Sequence, residues 1–282
     1  MTADASPLFA EGRVAVITGA ASGIGLAAAE RFADLGMKLV LLDWDARALE
    51  AAAGRLGGES RHLVGDVSNL ADIERLRDLA YAAFGEVNVL MNNAAISGQG
   101  GENWTGLDVW KRVLEIDLLG VAHGVHAFTA AMLAQGSRGA IINTGSKQGI
   151  TNPPGEPAYA VAKAGVRILT EQLAHGLREA GGCVSAHLLV PGYTYTGMTG
   201  QPEKPVGAWT ADEVVGRMIG AVEAGDFYVI CPDNMVSSEM DAARITWSAQ
   251  DMIQNRPALS RWHPAWKDRF EAFAARETSK TS

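Results

Sequence analysis

Only two cysteines, Cys183 and Cys231, occur in 282 residues. Two thiols cannot form the framework of bridges that staples small secreted domains, and both lie beside apolar strand-like runs, so they read as reduced and buried. Histidine is sparse as well: the six, at 62, 123, 126, 175, 187 and 263, show no ligand spacing that suggests a metal. His123 and His126 stand one helical turn apart and are expected to line a helix face. Positive charge is in the minority, with 24 Lys and Arg against 32 Asp and Glu and a formal net charge of −8. That balance disfavours nucleic acid or an anionic membrane as a general partner and points to a small molecule. No uninterrupted apolar stretch is long enough for a bilayer span. Residues 1–11 lack the basic start and apolar core of a signal peptide, so they are expected to form a flexible lead-in to a cytoplasmic protein. Internal repeats and low-complexity tracts are absent.

What remains is an alternation of apolar strand-like runs and helical patterns, which implies a parallel sheet covered by helices on both faces. The expected strands are 14–18, 39–42, 61–65, 87–91, 140–144, 184–190 and 227–230. Helical patterns fill the intervals at 26–35, 46–56, 70–84, 107–133, 158–180 and 211–224. One α/β domain is the economical reading for this length. Thr210 followed by Glu213 makes a capping box for the last of these helices. The Gly- and Pro-rich loop before it, 197–207, follows a strand end, where open α/β sheets bind ligands, and is a candidate substrate lid.

The chemistry is concentrated in a few spacings. Tyr159 and Lys163 are four residues apart and share one helix face, where the ammonium favours the phenolate. The tyrosine is thereby expected to serve as a general base near neutral pH. Ser146 lies 13 positions upstream. Near the amino end, an apolar run feeds Gly19-Ala-Ala-Ser-Gly-Ile-Gly25, a glycine-rich turn opening a helix whose amides can receive a pyrophosphate. Asp43 ends the second strand roughly 20 residues beyond the turn, where a carboxylate accepts hydrogen bonds from an adenosine ribose and repels a 2′-phosphate. Ser22 and Trp44 supply no cation there, although Arg47 is close in sequence. The expected cofactor is NAD.

Taken together, Thr18-Gly-Ala-Ala-Ser-Gly-Ile-Gly25, Asp66-Val67, Asn92-Asn-Ala-Ala95, Ser146, Tyr159-Ala-Val-Ala-Lys163 and Pro191-Gly-Tyr-Thr-Tyr-Thr196 resemble the short-chain dehydrogenase/reductase family. The match runs in order from about Gly12 to about Ile230. It implies a doubly wound, seven-stranded parallel sheet of the Rossmann type spanning 12–232, with 233–282 as a helical C-terminal extension. It also implies hydride transfer between a nicotinamide and a secondary alcohol or ketone. In that scheme Tyr159 is general base or acid, Lys163 lowers its pKa and holds the nicotinamide ribose, and Ser146 donates to the reacting oxygen. Gly19, Ser22, Gly23, Ile24, Gly25 and Asp43 would hold the cofactor, with Asp66 and Val67 at the adenine, Asn93 beside the adenosine ribose and Ala94 against the cofactor backbone. Pro191, Gly192, Thr194 and Thr196 would lie along the nicotinamide. Homo-oligomers, dimers or tetramers, are common in the family through the helices at 107–133 and 158–180.

Two positions depart from the family pattern. Ala95 replaces a glycine, for which tighter packing is expected. Asp117 stands where an asparagine usually helps a proton relay to the lysine, and its charge is expected to pair with Lys163 or to raise the tyrosine's pKa. Candidate substrate-pocket residues are Ser97, Lys147, Gln148, Tyr193 and the 197–209 loop, with Trp104 and Trp209. Lys147 hints at an anionic or polar substrate, or is a solvent-facing lysine after a strand. Besides the NAD-dependent dehydrogenase, two readings remain: an NADP-dependent carbonyl reductase, against which Asp43 argues, and a nucleotide-binding scaffold, against which Ser146, Tyr159 and Lys163 argue. Beyond the common fold, Trp247, Trp262, Trp266, Phe270 and Phe273 predict a packed tail with helices near 237–253 and 264–275 that walls the substrate pocket.

Overall fold

A computed structural model describes residues 6–98 and 105–279. The chain runs β1 (Val14–Thr18), α1 (Gly23–Asp34), β2 (Lys38–Asp43), α2 (Ala46–Ala53), β3 (Ser60–Val64), α3 (Leu70–Phe84) and β4 (Val89–Asn92). It continues through α4 (Leu107–Leu114), α5 (Gly120–Gln135), β5 (Gly139–Thr144), α6 (Gln148–Thr151), α7 (Pro157–Glu179) and β6 (Val184–Val190). A short pair, β7 (Thr194–Tyr195) and β8 (Trp209–Thr210), precedes α8 (Ala211–Ala224) and β9 (Tyr228–Ile230). The tail forms α9 (Ser238–Ile253) and α10 (Lys267–Ser279).

Seven strands make one parallel sheet in the order β3-β2-β1-β4-β5-β6-β9. Every residue of β1, β4 and β5 is buried, because helices cover both faces and leave no polar side to alternate with. One face packs Phe32 of α1 and Met218 of α8 against the sheet, and the other packs Leu76 of α3 with Phe128 and Met132 of α5. The strand order reverses between β1 and β4, and the crevice at their carboxyl ends is where such sheets bind ligands.

Several expectations are revised here. Residues 8 and 9, assigned to a flexible lead-in, are pinned: Leu8 and Phe9 are buried, the Phe9 ring lies 5.1 Å from that of Phe32, and both amides donate to Glu223. A stretch ending at residue 11 looked polar enough to stay free, but two apolar side chains in it suffice to cap the core. Cys231 is buried as expected, and burial pushes its thiol up to about 12. Cys183 is only half-buried.

The helix expected at 107–133 is not a uniform α-helix. Residues 115–119 form a π-helical turn between α4 and α5, and Asp117 sits inside it, fully buried. The wider turn adds one residue to the repeat, a feature that recurs at functional sites. By length and composition alone this 29-residue helix, with a mean hydropathy of 1.4 over its most apolar stretch, could cross a bilayer, contrary to the sequence expectation. In the fold its apolar side chains Phe128 and Met132 pack on the sheet instead.

The capping box at Thr210 and Glu213 is present in both directions. In the tail, Trp247 is buried among Trp266, Phe270 and Phe273 at ring separations of 6.3, 5.5 and 5.2 Å. Ser260 fastens this cluster, accepting from the Trp247 indole and donating to Asp251. The second tail helix begins at Lys267, after a short 3-10 turn, so it starts and ends a few residues later than its sequence pattern.

Candidate active site

A cavity of about 820 Å³ opens at the carboxyl ends of the strands. Gly19, Ser22, Gly23 and Ile24 form its floor, with Gly19 and Gly23 at φ +66° and +54°, backbone that glycine adopts without strain. Gly25 does not line it. A Cβ at that position would lie 2.1 Å from the Gly19 carbonyl oxygen, so this glycine lets α1 close onto the turn. Thr18 ties the turn to the fourth strand, its hydroxyl accepting from the amides of Asn93 and Ala94 at 3.0 and 3.2 Å.

At one end of the cavity stands Asp43, 8% exposed. One of its oxygens accepts from the Ala21 amide within the glycine turn, the other from the Asp45 amide, both at 3.0 Å. Two backbone donors thus fix this carboxylate in place. Asp66 and Val67 line the same end. Arg112 bridges the region, ion-paired to Asp66 at 2.7 Å and stacked 5.5 Å from the Trp44 ring. Hydrogen bonds from Arg112 and Ser68 outweigh desolvation and hold the Asp66 carboxyl below its ordinary value. Arg47 is exposed and does not line the cavity.

Ser146, Tyr159 and Lys163 line the other end, with Asn93 and Ala94 between, and Pro191, Gly192, Thr194 and Thr196 on the opposing wall. Helix α7 presents Tyr159 and Lys163 on one face as the four-residue spacing predicts. Lys163, 1% exposed, donates to the Thr144 carbonyl at 3.1 Å and lies 5.4 Å from the centroid of the Tyr159 ring. Behind it, Asp117 Oδ2 is 3.5 Å away, while Oδ1 accepts from the Ile96 amide at 2.9 Å. Asp117 is therefore a buried partner of the lysine and not itself a cavity residue. Burial raises its carboxyl above the ordinary range, with the Lys163 cation opposing.

Electrostatics at Tyr159 run against the simplest sequence reading. Burial raises the phenol above its usual value, and this outweighs the lowering by Lys163 and by the hydrogen bond with Ser146, while Asp117 and Glu156 add to the rise. A lysine on the same helix face promised a phenol near neutral; its two flanking carboxylates and the low-dielectric wall were not visible in that spacing.

Of the expected substrate-pocket residues, Ser97, Gln148 and Tyr193 line the cavity. Trp209 does not: it pairs with Thr194 in the short ladder and packs on the core. Trp104 lies outside the described residues. Lys147 lines the cavity, but neither a free anion anchor nor a solvent-facing lysine is found, because Asp241 and Asp233 hold its ammonium at 2.6 and 3.5 Å. These carboxylates come from the tail, which reaches the cavity through Lys147 and Tyr193 and supplies no lining residue of its own among those described. Gly192 is tightly enclosed by the same segment, since a Cβ would sit 2.9 Å from the Cys231 carbonyl oxygen and 3.0 Å from both the Pro232 carbonyl and the Asp233 carboxylate. Sequence reasoning missed Glu156, at the start of α7, which lines the cavity and accepts from the Gln148 amide at 2.9 Å. His123 contacts the Val67 carbonyl, and among the described residues no group of three or more His, Cys, Asp or Glu is arranged to hold a metal ion.

A parallel sheet with a glycine turn at its switch point defines a dinucleotide-binding scaffold, and the family described as short chain dehydrogenase matches residues 13–206. The chain belongs to that family and is an oxidoreductase. It is 39% identical, over 77% of its own length and 88% of the relative's, to cis-4-hydroxycyclohexanecarboxylate dehydrogenase of Sinomonas cyclohexanicum. It is 33% identical to the NADP-dependent (R)-specific alcohol dehydrogenase of Lentilactobacillus kefiri, over 66% of this chain and 75% of that one. Among solved structures, a short chain dehydrogenase/reductase from Burkholderia phymatum in complex with NAD superposes with a TM-score of 0.80 at 35% identity, covering 87% of this chain and 96% of that one.

Proposed function

We propose that this protein is an NAD-dependent dehydrogenase of secondary alcohols, with Tyr159 as the general base in oxidation and the general acid in reduction. The observation that carries the reading is the joint placement of Ser146, Tyr159 and Lys163 at one end of a cavity whose other end is closed by Asp43. The residues fit a dinucleotide: bare glycine backbone for the pyrophosphate, a fixed carboxylate for the adenosine ribose, and small residues along the far wall. When bound, the nicotinamide accepts or supplies the hydride.

The chain's own groups handle the proton and the oxygen. Ser146 donates a hydrogen bond to the substrate oxygen as negative charge develops there. In oxidation Lys163, held by the Thr144 carbonyl, stabilises Tyr159 as the phenolate, which takes the hydroxyl proton and becomes the phenol. Asp117 keeps the lysine in place from behind and tempers its charge.

NAD is favoured over NADP by the cavity's charges. The cations that line it, Lys147 and Lys163, belong to the catalytic end, and Arg112 near the adenosine end is already engaged by Asp66 and Trp44. A 2′-phosphate would meet Asp43 with no cation to offset it. Assembly as a cytoplasmic homo-oligomer is part of the same reading, supported by the exposed apolar residues Leu119, Val161 and Ile168 on the helices the family uses for pairing. The test is Tyr159→Phe. Its ring keeps the packing and loses only the hydroxyl, so oxidation of secondary alcohols should fall by about a thousandfold, the middle of the range for one acid–base group, while NADH fluorescence shows unchanged binding. Activity near that of the parent enzyme would remove Tyr159 from the reaction.

A further inference from the structure

Two cations line the catalytic end of the cavity, and each is neutralised from behind. Lys163 faces Asp117 at 3.5 Å, and Lys147 is held by Asp241 at 2.6 Å and Asp233 at 3.5 Å. Lys147 thus carries two carboxylates against one ammonium. Glu156 is the opposite case. Its oxygen accepts from a neutral amide, Gln148 Nε2, at 2.9 Å, and among the described residues no Lys, Arg or His is ion-paired with it. Residues 99–104, Gln99-Gly-Gly-Glu-Asn-Trp104, contain no Lys or Arg that could neutralise it.

Position makes this carboxylate consequential. Glu156 is the N-cap residue of the 23-residue helix α7, where the helix dipole favours negative charge, and it precedes Tyr159 by three residues. Its charge is felt at the phenol, whose pKa it helps to raise. Gln148 belongs to α6, which starts two residues after Ser146, so the Gln148–Glu156 bond spans the wall beside the serine and the tyrosine.

We propose that Glu156 gives the substrate wall a net negative charge and makes the enzyme select neutral or ammonium-bearing secondary alcohols over carboxylate-bearing ones. The inference rests on the alcohol dehydrogenase reading above. It separates this chain from its Sinomonas relative, whose name specifies a carboxylate substrate. The tail takes part at a distance: by neutralising Lys147, Asp233 and Asp241 remove the cation that would otherwise attract an anionic substrate.

The experiment compares three cyclohexanols that differ only in the group opposite the hydroxyl: aminocyclohexanol, cyclohexanediol and hydroxycyclohexanecarboxylate. With NAD and NADH absorbance as the readout, kcat/KM should be lowest for the carboxylate, by about tenfold relative to the neutral diol, the scale of one screened charge a few ångströms away. Glu156→Gln should raise the carboxylate-to-diol ratio by about tenfold and lower the ammonium-to-diol ratio, whereas loss of a purely structural contact would depress all three alike. A parent enzyme that prefers the carboxylate, or a Glu156→Gln variant with unchanged ratios, overturns the inference. If none of the three alcohols is oxidised, the alcohol dehydrogenase reading fails for this series, and the charge is tested without turnover. Cyclohexylammonium and cyclohexanecarboxylate are then titrated against the enzyme with NADH. A several-fold loss of ammonium affinity and gain of carboxylate affinity on Glu156→Gln sustains the inference, and equal changes for both ions overturn it.

Discussion

Replacing Asp117 by asparagine removes one buried negative charge and keeps the side-chain volume and the acceptor for the Ile96 amide. The expected consequence is a downward shift of the pH profile. At an effective dielectric of about 20, the Lys163 cation, 5.4 Å from the Tyr159 ring centroid, favours phenolate by about 3 kcal/mol. Asp117 lies 3.5 Å beyond that ammonium, so its charge is at most about 9 Å from the ring and opposes by about 2 kcal/mol. Removing it should therefore lower the phenol's pKa by between about one and two pH units. The sign follows from the reaction. Oxidation needs the phenolate, so the acid limb of kcat/KM should move to lower pH; reduction needs the phenol, so its alkaline limb should move down as well. The assay is NADH absorbance over a pH series in both directions, with NADH affinity and melting temperature as controls for an intact site. Limbs that stay in place, or move upward, would show that Asp117 carries no charge at working pH or that Tyr159 is not the titrating group, and the reasoning would fail.

Asp43→Ala strips the acceptor from the Ala21 and Asp45 amides along with the charge that repels a 2′-phosphate. NAD should bind roughly tenfold more weakly, the loss of about one charge-assisted hydrogen bond, and its advantage over NADP should shrink, as read by titration of both cofactors; a parent enzyme that already prefers NADP defeats this reading of the strand end. Gly25→Ala forces a methyl group against the Gly19 carbonyl and the Asn93 amide, so the glycine turn must shift, with NADH affinity and melting temperature both falling; unchanged NADH affinity would mean that the turn absorbs the methyl group. His187 is held by the Asp226 carbonyl and Ser185, and burial keeps its imidazole below the ordinary value of about 6.5. The folded chain thus resists a proton that the unfolded chain accepts, so this stability is complete above about pH 6.5 and is lost as pH falls below it. His187→Gln should flatten that acid dependence in thermal melts, and an unaltered slope would exclude His187 as its source.

The order of strands and helices was legible because strands buried on both faces read as continuous apolar runs, and the helices between them carry a different period. Ser146, Tyr159, Lys163 and the glycine turn were legible for the same local reason: each depends on spacing within one or two adjacent elements. What the sequence hid is non-local or sub-periodic. Lys147 meets Asp233 and Asp241 across 86 and 94 positions, and no local pattern announces a partner at that range. The π turn at 115–119 inserts a single residue into a long helix, too small a phase change for apolar periodicity to reveal. Glu156 stands in Pro153-Pro-Gly-Glu-Pro157, which carries no helical or strand period to mark it; its bond to Gln148 joins α6 to the start of α7 and brings it to the catalytic end. Trp209 was assigned to the pocket with the 197–209 loop, but in the two-residue ladder with Thr194 it is half-buried against the core.

The position of Asp233 has a consequence for how the molecule can be divided. This one carboxylate receives the Tyr193 amide from the segment after β6, the Met235 and Val236 amides from its own turn, and the Lys147 ammonium from the segment after β5. The region matched to the family ends at residue 206, well before it. A chain cut at residue 206 would keep Ser146, Tyr159 and Lys163 yet leave Lys147 without its two carboxylates and the Tyr193 amide without its acceptor. In this protein the segment that the family match spans and the segment that the site needs end at different places.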